Sequence, residues 1–274
     1  MAGPAWGTVT RVSTPEPHVP DRSGLARAAT STVAATTEIL LAVFAFVAGL
    51  ALLLVIPGLQ SAIFWLLDAS FGRPLLAPEK VRQVHGIVLT PLAVLASALI
   101  YGWLGRRLDL GGPPRPAPWQ PAGPGATLGQ VVLHVALAIA GSYLIALVMH
   151  AVGVPVNEQR LVLELTASGD LRSPEVATLA LSALVLAPIG EELLFRGQLL
   201  RRTWQRGGAR AAYLGSALLF AAFHGNLQGF VVYVWLGLVF ARVYARTGRL
   251  GAAIAVHFGN NALTMAMLLY GERA

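Results

Sequence analysis

Cysteine is absent from the 274-residue chain, and lysine occurs once, at Lys80. Without cysteine the protein can form no disulfide, thiol nucleophile or cysteine-ligated zinc site. Charged residues are also scarce, at 12% of the chain, against about 25% in soluble domains. Hydrophobic residues make up 55%, which excludes disorder along the whole chain. This composition indicates a membrane protein rather than a soluble one.

Long apolar runs follow a polar N-terminal stretch. Residues 1–30 contain no apolar run and predict a disordered tail, and residues 31–274 predict one transmembrane domain. A bilayer core of about 30 Å needs about 20 helical residues. The apolar runs supply about seven such helices, within a range of about six to eight: 33–59, 84–104, 128–152, 176–200, 211–223, 230–244 and 250–270. The sequence therefore predicts an all-α, polytopic transmembrane helical bundle.

Four segments interrupt or flank these runs. The polar residues 224–229 separate two short runs, which predicts a hairpin whose apex lies at membrane depth and is shielded by protein. Proline and glycine dominate 111–126, which predicts an extended loop. The charged stretch 157–175 predicts a soluble loop or interfacial helix, and 59–71 is suited to the membrane interface.

The distribution of positive charge sets the expected orientation. The net charge is +7, and arginine carries nearly all of the positive charge. With about seven spans and a cytoplasmic N-terminus, most of the 20 Lys and Arg residues fall in cytoplasmic segments, as the positive-inside rule requires. We therefore expect a multi-pass protein of the cell membrane with its N-terminus in the cytoplasm. Its basic charge reflects this topology, so we expect contact with the lipid bilayer and none with nucleic acid.

Ionisable residues inside spans are rare and usually functional. The fourth run contains Glu191 and Glu192, which point about 100° apart on a helix. Glu192 lies four residues before Arg196, which predicts an ion pair that supports the site. Glu191 has no such partner, and a carboxylate in a low-dielectric site is a stronger proton acceptor, as a general base needs. Pro188 removes a helix hydrogen bond and predicts a kink beside Glu191.

The next spans supply three more polar side chains. His224 directly follows the run 211–223, and His257 shares a helical face with Asn261. At about 1.5 Å per residue, Glu191, His224 and His257 lie about 12–21 Å from the arginines expected at the cytoplasmic surface, so they can meet within the membrane. Those arginines are Arg201, Arg210 and Arg249. Three other histidines stand alone in apolar runs, and we interpret them as packed structural residues: His85, His134 and His150.

These residues form three motifs that occur in order on successive spans. They read EELLFRG at 191–197, FAAFH at 220–224 and HFGNN at 257–261. Together they resemble the CPBP family of CAAX-type intramembrane proteases, and the motif core spans 176–270. The resemblance implies a helical membrane peptidase that cleaves near the C-terminus of membrane-attached substrates. It also implies that Glu191 and His224 activate water, while His257 and Asn261 bind the oxyanion.

Several alternatives remain open at this point. Glu191, His224 and His257 are also a plausible zinc set, although we favour a site without a cofactor because the amide of Asn261 is a good oxyanion donor. The substrate is expected to be a membrane-associated protein or peptide, and in a bacterium not a prenylated one. Other hypotheses are a non-proteolytic scaffold or bacteriocin-immunity protein of the same fold, and a proton-coupled transporter.

Overall fold

A computed structural model describes residues 22–55, 78–108, 121–156 and 174–270, with short helical pieces between 58 and 66. Every regular element in these residues is helical, and none of them forms a strand. Six of the helices are long and apolar enough to cross a membrane. The chain is thus a helical, multi-pass membrane protein, and the predicted fold class is confirmed.

We number seven helices over the described residues. The bounds are α1 Arg22–Leu50, α2 Pro78–Arg107, α3 Pro124–Ala151, α4 174–207, α5 Ala209–Phe223, α6 Phe230–Thr247 and α7 Leu250–Tyr270. Helix α1 continues as a π-helical segment over Ala51–Val55. Helix α5 is shorter than a full span, as the short fifth run predicts. A turn joins α5 to α6, and the two helices pack closely against each other. A Cβ atom added at Gly237 of α6 would lie only 2.9 Å from the Cα atom of Ala217 in α5. The predicted hairpin is therefore present, but the prediction that protein shields its apex was wrong, because Leu227 is 89% exposed.

Several predicted boundaries differ from the structure. Helix α1 begins at Arg22, so residues 22–30 are helical and not part of a disordered tail, whereas residues 1–21 lie outside the described residues. Helix α3 begins at Pro124, inside the loop predicted over 111–126. Proline fits there because the first turn of a helix lacks amide partners in any case.

The remaining two interruptions fall mainly outside the described residues. This applies to residues 157–173 of the charged stretch, after which helix starts at Pro174. Of the predicted interfacial segment 59–71, only parts of 59–66 are described, and those parts are helical.

Helix α4 is irregular on both sides of its two carboxylates. A π-helical segment, Ser182–Leu186, precedes the short α-helical stretch Ala187–Glu192, and a second one, Leu193–Leu200, follows it. The distortion predicted at Pro188 is therefore present as a π-segment that ends at Leu186, two residues before the proline. Such segments occur often at functional sites, because they change the direction in which the following side chains point.

Helix α4 lies at the centre of the bundle. Glycine at position 190 lets α2 approach closely, because a Cβ there would lie 3.1 Å from the carbonyl oxygen of Pro91. On α4 itself, Leu194, Phe195 and Leu199 are almost fully buried and belong to the main hydrophobic core. The carboxylates of α4 are therefore held on a tightly packed element.

A buried charge cluster ties α1 to the far end of α4. The carboxylate of Glu38 is fully buried and accepts hydrogen bonds from Arg202 at 2.8 and 3.0 Å and from the Tyr101 hydroxyl at 2.7 Å. The Nε atom of Arg206 lies 3.0 Å from Oε1 of Glu38. Glu38 is the one charge in the first apolar run, and sequence analysis found no partner for it.

Candidate active site

The carboxylate of Glu191 faces two imidazoles. Its Oε2 atom lies 3.9 Å from Nε2 of His224 and 3.9 Å from Nε2 of His257. This oxygen is buried and has no hydrogen-bond partner among the described residues. Three of the four predicted catalytic residues thus come together, on α4, at the end of α5 and on α7.

The ring of His224 is held by its own helix and by α6. Its Nδ1 atom lies 2.7 Å from the carbonyl oxygen of Phe220, and the ring stacks on Tyr233 at 4.0 Å. A carbonyl oxygen only accepts hydrogen bonds, so Nδ1 carries the hydrogen. In a neutral ring Nε2 is then an acceptor that faces Glu191, which is also an acceptor when ionised.

The ring of His257 is held by the second carboxylate. Its Nδ1 atom lies 2.9 Å from Oε1 of Glu192, and the ring stacks on Phe240 at 4.6 Å. An ionised Glu192 accepts a hydrogen bond from Nδ1–H of this ring, which fixes the orientation of the imidazole. The two adjacent glutamates therefore contact different nitrogens of one histidine, with Glu191 nearer Nε2 and Glu192 at Nδ1.

The predicted ion pair within α4 is present. Nη1 of Arg196 donates to Oε1 of Glu192 at 2.9 Å, and both side chains are fully buried. Nη2 donates to the carbonyl oxygen of Gly237 at 2.9 Å, and the guanidinium lies over the rings of Phe220 and Phe240. Glu192 thus links Arg196 to His257, which is a connection that sequence spacing alone does not predict.

The fourth predicted residue, Asn261, is already engaged. Its Nδ2 atom donates to the carbonyl oxygen of Ala183 at 2.8 Å, in the π-segment of α4. Its Oδ1 atom accepts from Nδ2 of Asn260 at 3.2 Å. Asn261 lies one helical turn after His257, and one of its two amide hydrogens has no acceptor among the described residues.

Two residues that hold the histidines were missed by sequence analysis. Tyr233 and Phe240 stack on His224 and His257 respectively. They lie seven residues apart on α6 and so share one helical face. That spacing was a usable signal, although it does not reveal which face meets the histidines.

The zinc alternative has suitable donor types but not a matching placement. Zinc binds imidazole and carboxylate at about 2.0–2.2 Å, which puts tetrahedral ligand atoms about 3.4 Å apart. The two distances from Glu191 Oε2 are longer, at 3.9 Å. Within the described part of the chain, no group of three or more His, Asp or Glu side chains is placed to hold a metal ion. As positioned, Glu191, His224 and His257 do not form a zinc site.

The other histidines lie apart from this cluster. His134 is buried, and its Nδ1 atom donates to the carbonyl oxygen of Gln130 at 2.8 Å. Its Nε2 atom is buried and has no hydrogen-bond partner among the described residues. His150 is exposed on α3, so the prediction that it is packed was wrong. The side chain of His85 lies outside the described residues.

Fold and site together define a class: a helical membrane protein with a buried carboxylate facing two oriented imidazoles. Comparison with known families agrees. Residues 173–263 match the family described as "Type II CAAX prenyl endopeptidase Rce1-like", and all three motifs fall inside this range. The resemblance to CAAX-type intramembrane proteases is therefore confirmed for this part of the chain.

One curated relative is also similar. The chain is 31% identical over 85 residues to the Bacillus subtilis (strain 168) protein named "Putative membrane peptidase YdiL". The similarity covers 31% of this chain and 35% of that relative, so the chain matches only about a third of the relative's length. No solved structure matches the chain significantly.

Proposed function

We propose that the protein is an intramembrane endopeptidase that hydrolyses a peptide bond in a membrane-associated protein or peptide. The observation that carries this proposal is the position of Glu191 Oε2, which is buried, has no hydrogen-bond partner among the described residues and lies 3.9 Å from both Nε2 atoms. The match of residues 173–263 to a family of CAAX-type endopeptidases supports it.

In this proposal the nucleophile is a water molecule held between Glu191 and His224. Both groups present acceptor atoms to the same space, and a water molecule has two hydrogens to donate. A separation of 3.9 Å is too long for a direct hydrogen bond but allows both atoms to contact one water. Glu191 takes a proton as the water oxygen attacks the scissile carbonyl carbon, and it then returns the proton to the leaving amine.

His257 and Asn261 are proposed to stabilise the negative charge that develops on the carbonyl oxygen. With Nδ1–H donated to Glu192, a protonated His257 has Nε2–H available as a second donor. Asn261 contributes the amide hydrogen that Ala183 does not use. Donors fixed before the reaction stabilise the transition state by several kcal/mol, because they need not reorganise as charge develops.

The proposed location is the cell membrane, with the N-terminus in the cytoplasm. Arginines occur at the end of α4 and at the start of α7. Arg202 and Arg206 contact α1, and Arg249 donates to the carbonyl oxygen of Ala122, two residues before α3. Positive residues favour the cytoplasmic side, so these helix ends are proposed to face the cytoplasm.

The test compares the termini of membrane proteins across cells that carry different variants. Cells with wild type should contain new C-termini that are absent with Glu191→Gln and with His224→Gln. His134→Gln is the matched control, because it changes a buried histidine away from the site. If the two site variants left all termini unchanged while inserting normally, the protein would not be a peptidase, and a scaffold or immunity role would replace the proposal.

A further inference from the structure

Two prolines in the middle of helices each leave a carbonyl oxygen without its amide partner. The first is Pro91 in α2. In an α-helix the amide of residue 91 would donate to the carbonyl of Ile87, but proline has no amide hydrogen. The hydroxyl of Ser182 on α4 donates to this carbonyl instead. A side chain from a neighbouring helix thus satisfies the freed acceptor.

The second proline repeats the arrangement beside the proposed active site. In the π-segment of α4, the amide of Ala187 donates to the carbonyl of Ser182, five residues earlier. The same spacing would pair the next amide, at residue 188, with the carbonyl of Ala183. Pro188 has no amide hydrogen, and Nδ2 of Asn261 donates to this carbonyl at 2.8 Å.

The bond from Asn261 to the Ala183 carbonyl, called the link below, joins α7 to the π-segment of α4. Ser182 is the neighbour of Ala183, but its bond to Ile87 is a separate contact that joins α4 to α2. Ser182 is 2% exposed, and within a membrane there is no water to satisfy an unbonded carbonyl. Each side chain is therefore held firmly to the acceptor that a proline has freed.

The link also fixes the direction in which the Asn261 amide points. One amide hydrogen goes to Ala183, and Oδ1 accepts from Asn260. The amide group is planar, so these two contacts set its plane and leave one hydrogen to donate elsewhere. Asn261 lies one turn from His257, whose Nε2 atom faces Glu191.

We infer that Pro188 is a positioning residue for this site: the Ala183 carbonyl that it frees orients Asn261 to donate its remaining amide hydrogen to the oxyanion. The catalytic consequence rests on the proposed function, whereas the hydrogen-bonded link does not. Alanine at position 188 would supply an amide hydrogen. This hydrogen would compete with Asn261 for the Ala183 carbonyl, or the π-segment would convert to a regular α-helix in which that carbonyl has a backbone partner. Either change releases Asn261.

The kinetic test is a double-mutant cycle on the purified full-length protein with a verified substrate. Asn261→Ala should lower kcat by about 100- to 1000-fold, as loss of one oxyanion donor does. Pro188→Ala should lower kcat by about tenfold or more with little change in KM, because the donor acts mainly in the transition state. The double variant should be no slower than Asn261→Ala alone. If the two effects instead multiply, the proline does not act through Asn261 and the inference is wrong.

Pro91→Ala is the matched control, because it restores an amide hydrogen at the other freed carbonyl and releases Ser182 but not Asn261. Its effect on kcat, whatever its size, should multiply with that of Asn261→Ala. Should Pro188→Ala fail to fold, Pro188→Gly restores the same amide hydrogen and takes its place in the cycle. If the cycle of Pro91→Ala with Asn261→Ala were as non-additive as the cycle of Pro188→Ala with Asn261→Ala, the claim that Pro188 acts specifically through Asn261 would be wrong.

A second measurement separates failure of this inference from failure of the proposed function. Thermal unfolding in detergent of wild type, the three single variants and the two double variants reports the link without any substrate. The melting temperatures for Pro188→Ala and Asn261→Ala should be non-additive, and those for Pro91→Ala and Asn261→Ala should be additive. Non-additive melting with no peptidase activity in wild type would refute only the proposed function. Additive melting for Pro188 and Asn261 would refute the link itself.

Discussion

The buried Glu192 carboxylate gives the sharpest prediction about stability. Its Oε1 atom accepts hydrogen bonds from Nη1 of Arg196 and from Nδ1 of His257, each at 2.9 Å. Glu192→Ala leaves a fully buried guanidinium whose one remaining hydrogen-bond partner among the described residues is the Gly237 carbonyl. Removing one member of a buried ion pair costs about 3–5 kcal/mol, because the other charge stays buried and uncompensated. We therefore expect Glu192→Ala to lower the free energy of unfolding by about that amount.

Companion variants separate charge from shape. Glu192→Gln keeps an oxygen that can accept one hydrogen bond but removes the charge, so it should be less destabilising than Glu192→Ala. The double variant Glu192→Ala with Arg196→Met removes both charges, and it should be less destabilised than the sum of its single changes by about 0.5–3 kcal/mol. Arg210→Ala is the control at an exposed arginine, with an expected change within about 0.5 kcal/mol.

The assay is unfolding of the purified protein by SDS in mixed micelles, followed by tryptophan fluorescence. Normal folding yields of all variants in the same detergent are a precondition for comparing their free energies. If the destabilisation by Glu192→Ala and by Arg196→Met were strictly additive, the two residues would not interact in the folded protein. That result would refute the reasoning that the buried Glu192–Arg196 pair stabilises the fold.

Three further predictions test other parts of the account. Glu38→Gln removes the charge that Arg202 and Arg206 share, and it should destabilise the protein by about 1–3 kcal/mol in the same SDS titration; unchanged stability would show that the cluster does not join α1 to α4. If zinc were required, purified active enzyme would contain stoichiometric metal that is lost in His257→Ala; we expect active enzyme with no stoichiometric metal by mass spectrometry and full activity after chelation. Because the chain lacks cysteine, single introduced cysteines report the membrane topology. In intact cells, Val152→Cys should react with a membrane-impermeant maleimide and Arg210→Cys should not. The reverse result would show that the proposed orientation is inverted.

Local spacing made much of the site predictable. The apolar runs predicted the membrane helices because helix length must match bilayer thickness. The pair of Glu192 and Arg196 followed from a four-residue spacing, which puts two side chains on one helical face. The meeting of Glu191, His224 and His257 followed from their similar depth and from the resemblance of their motifs.

Contacts between distant helices were not predictable in the same way. The spacing along one helix does not reveal which face of another helix it meets, so the contacts of Glu38 with Arg202 and of His257 with Glu192 were missed. Pro188 predicted a disruption but not a π-segment, because the response of the backbone depends on what satisfies the freed carbonyl. Here a side chain of α7, Asn261, does so, and that helix begins 62 residues after the proline at Leu250.

The central claim is that Glu191 activates water for peptide hydrolysis, and the cleavage rate of Glu191→Gln tests it most directly. Purified wild type and Glu191→Gln would be reconstituted in vesicles with a verified substrate and compared at saturating concentration. General base catalysis contributes about 100- to 10,000-fold, so the rate should fall by at least about 100-fold while the protein stays folded and inserted. Cleavage by Glu191→Gln at the wild-type rate would contradict the account.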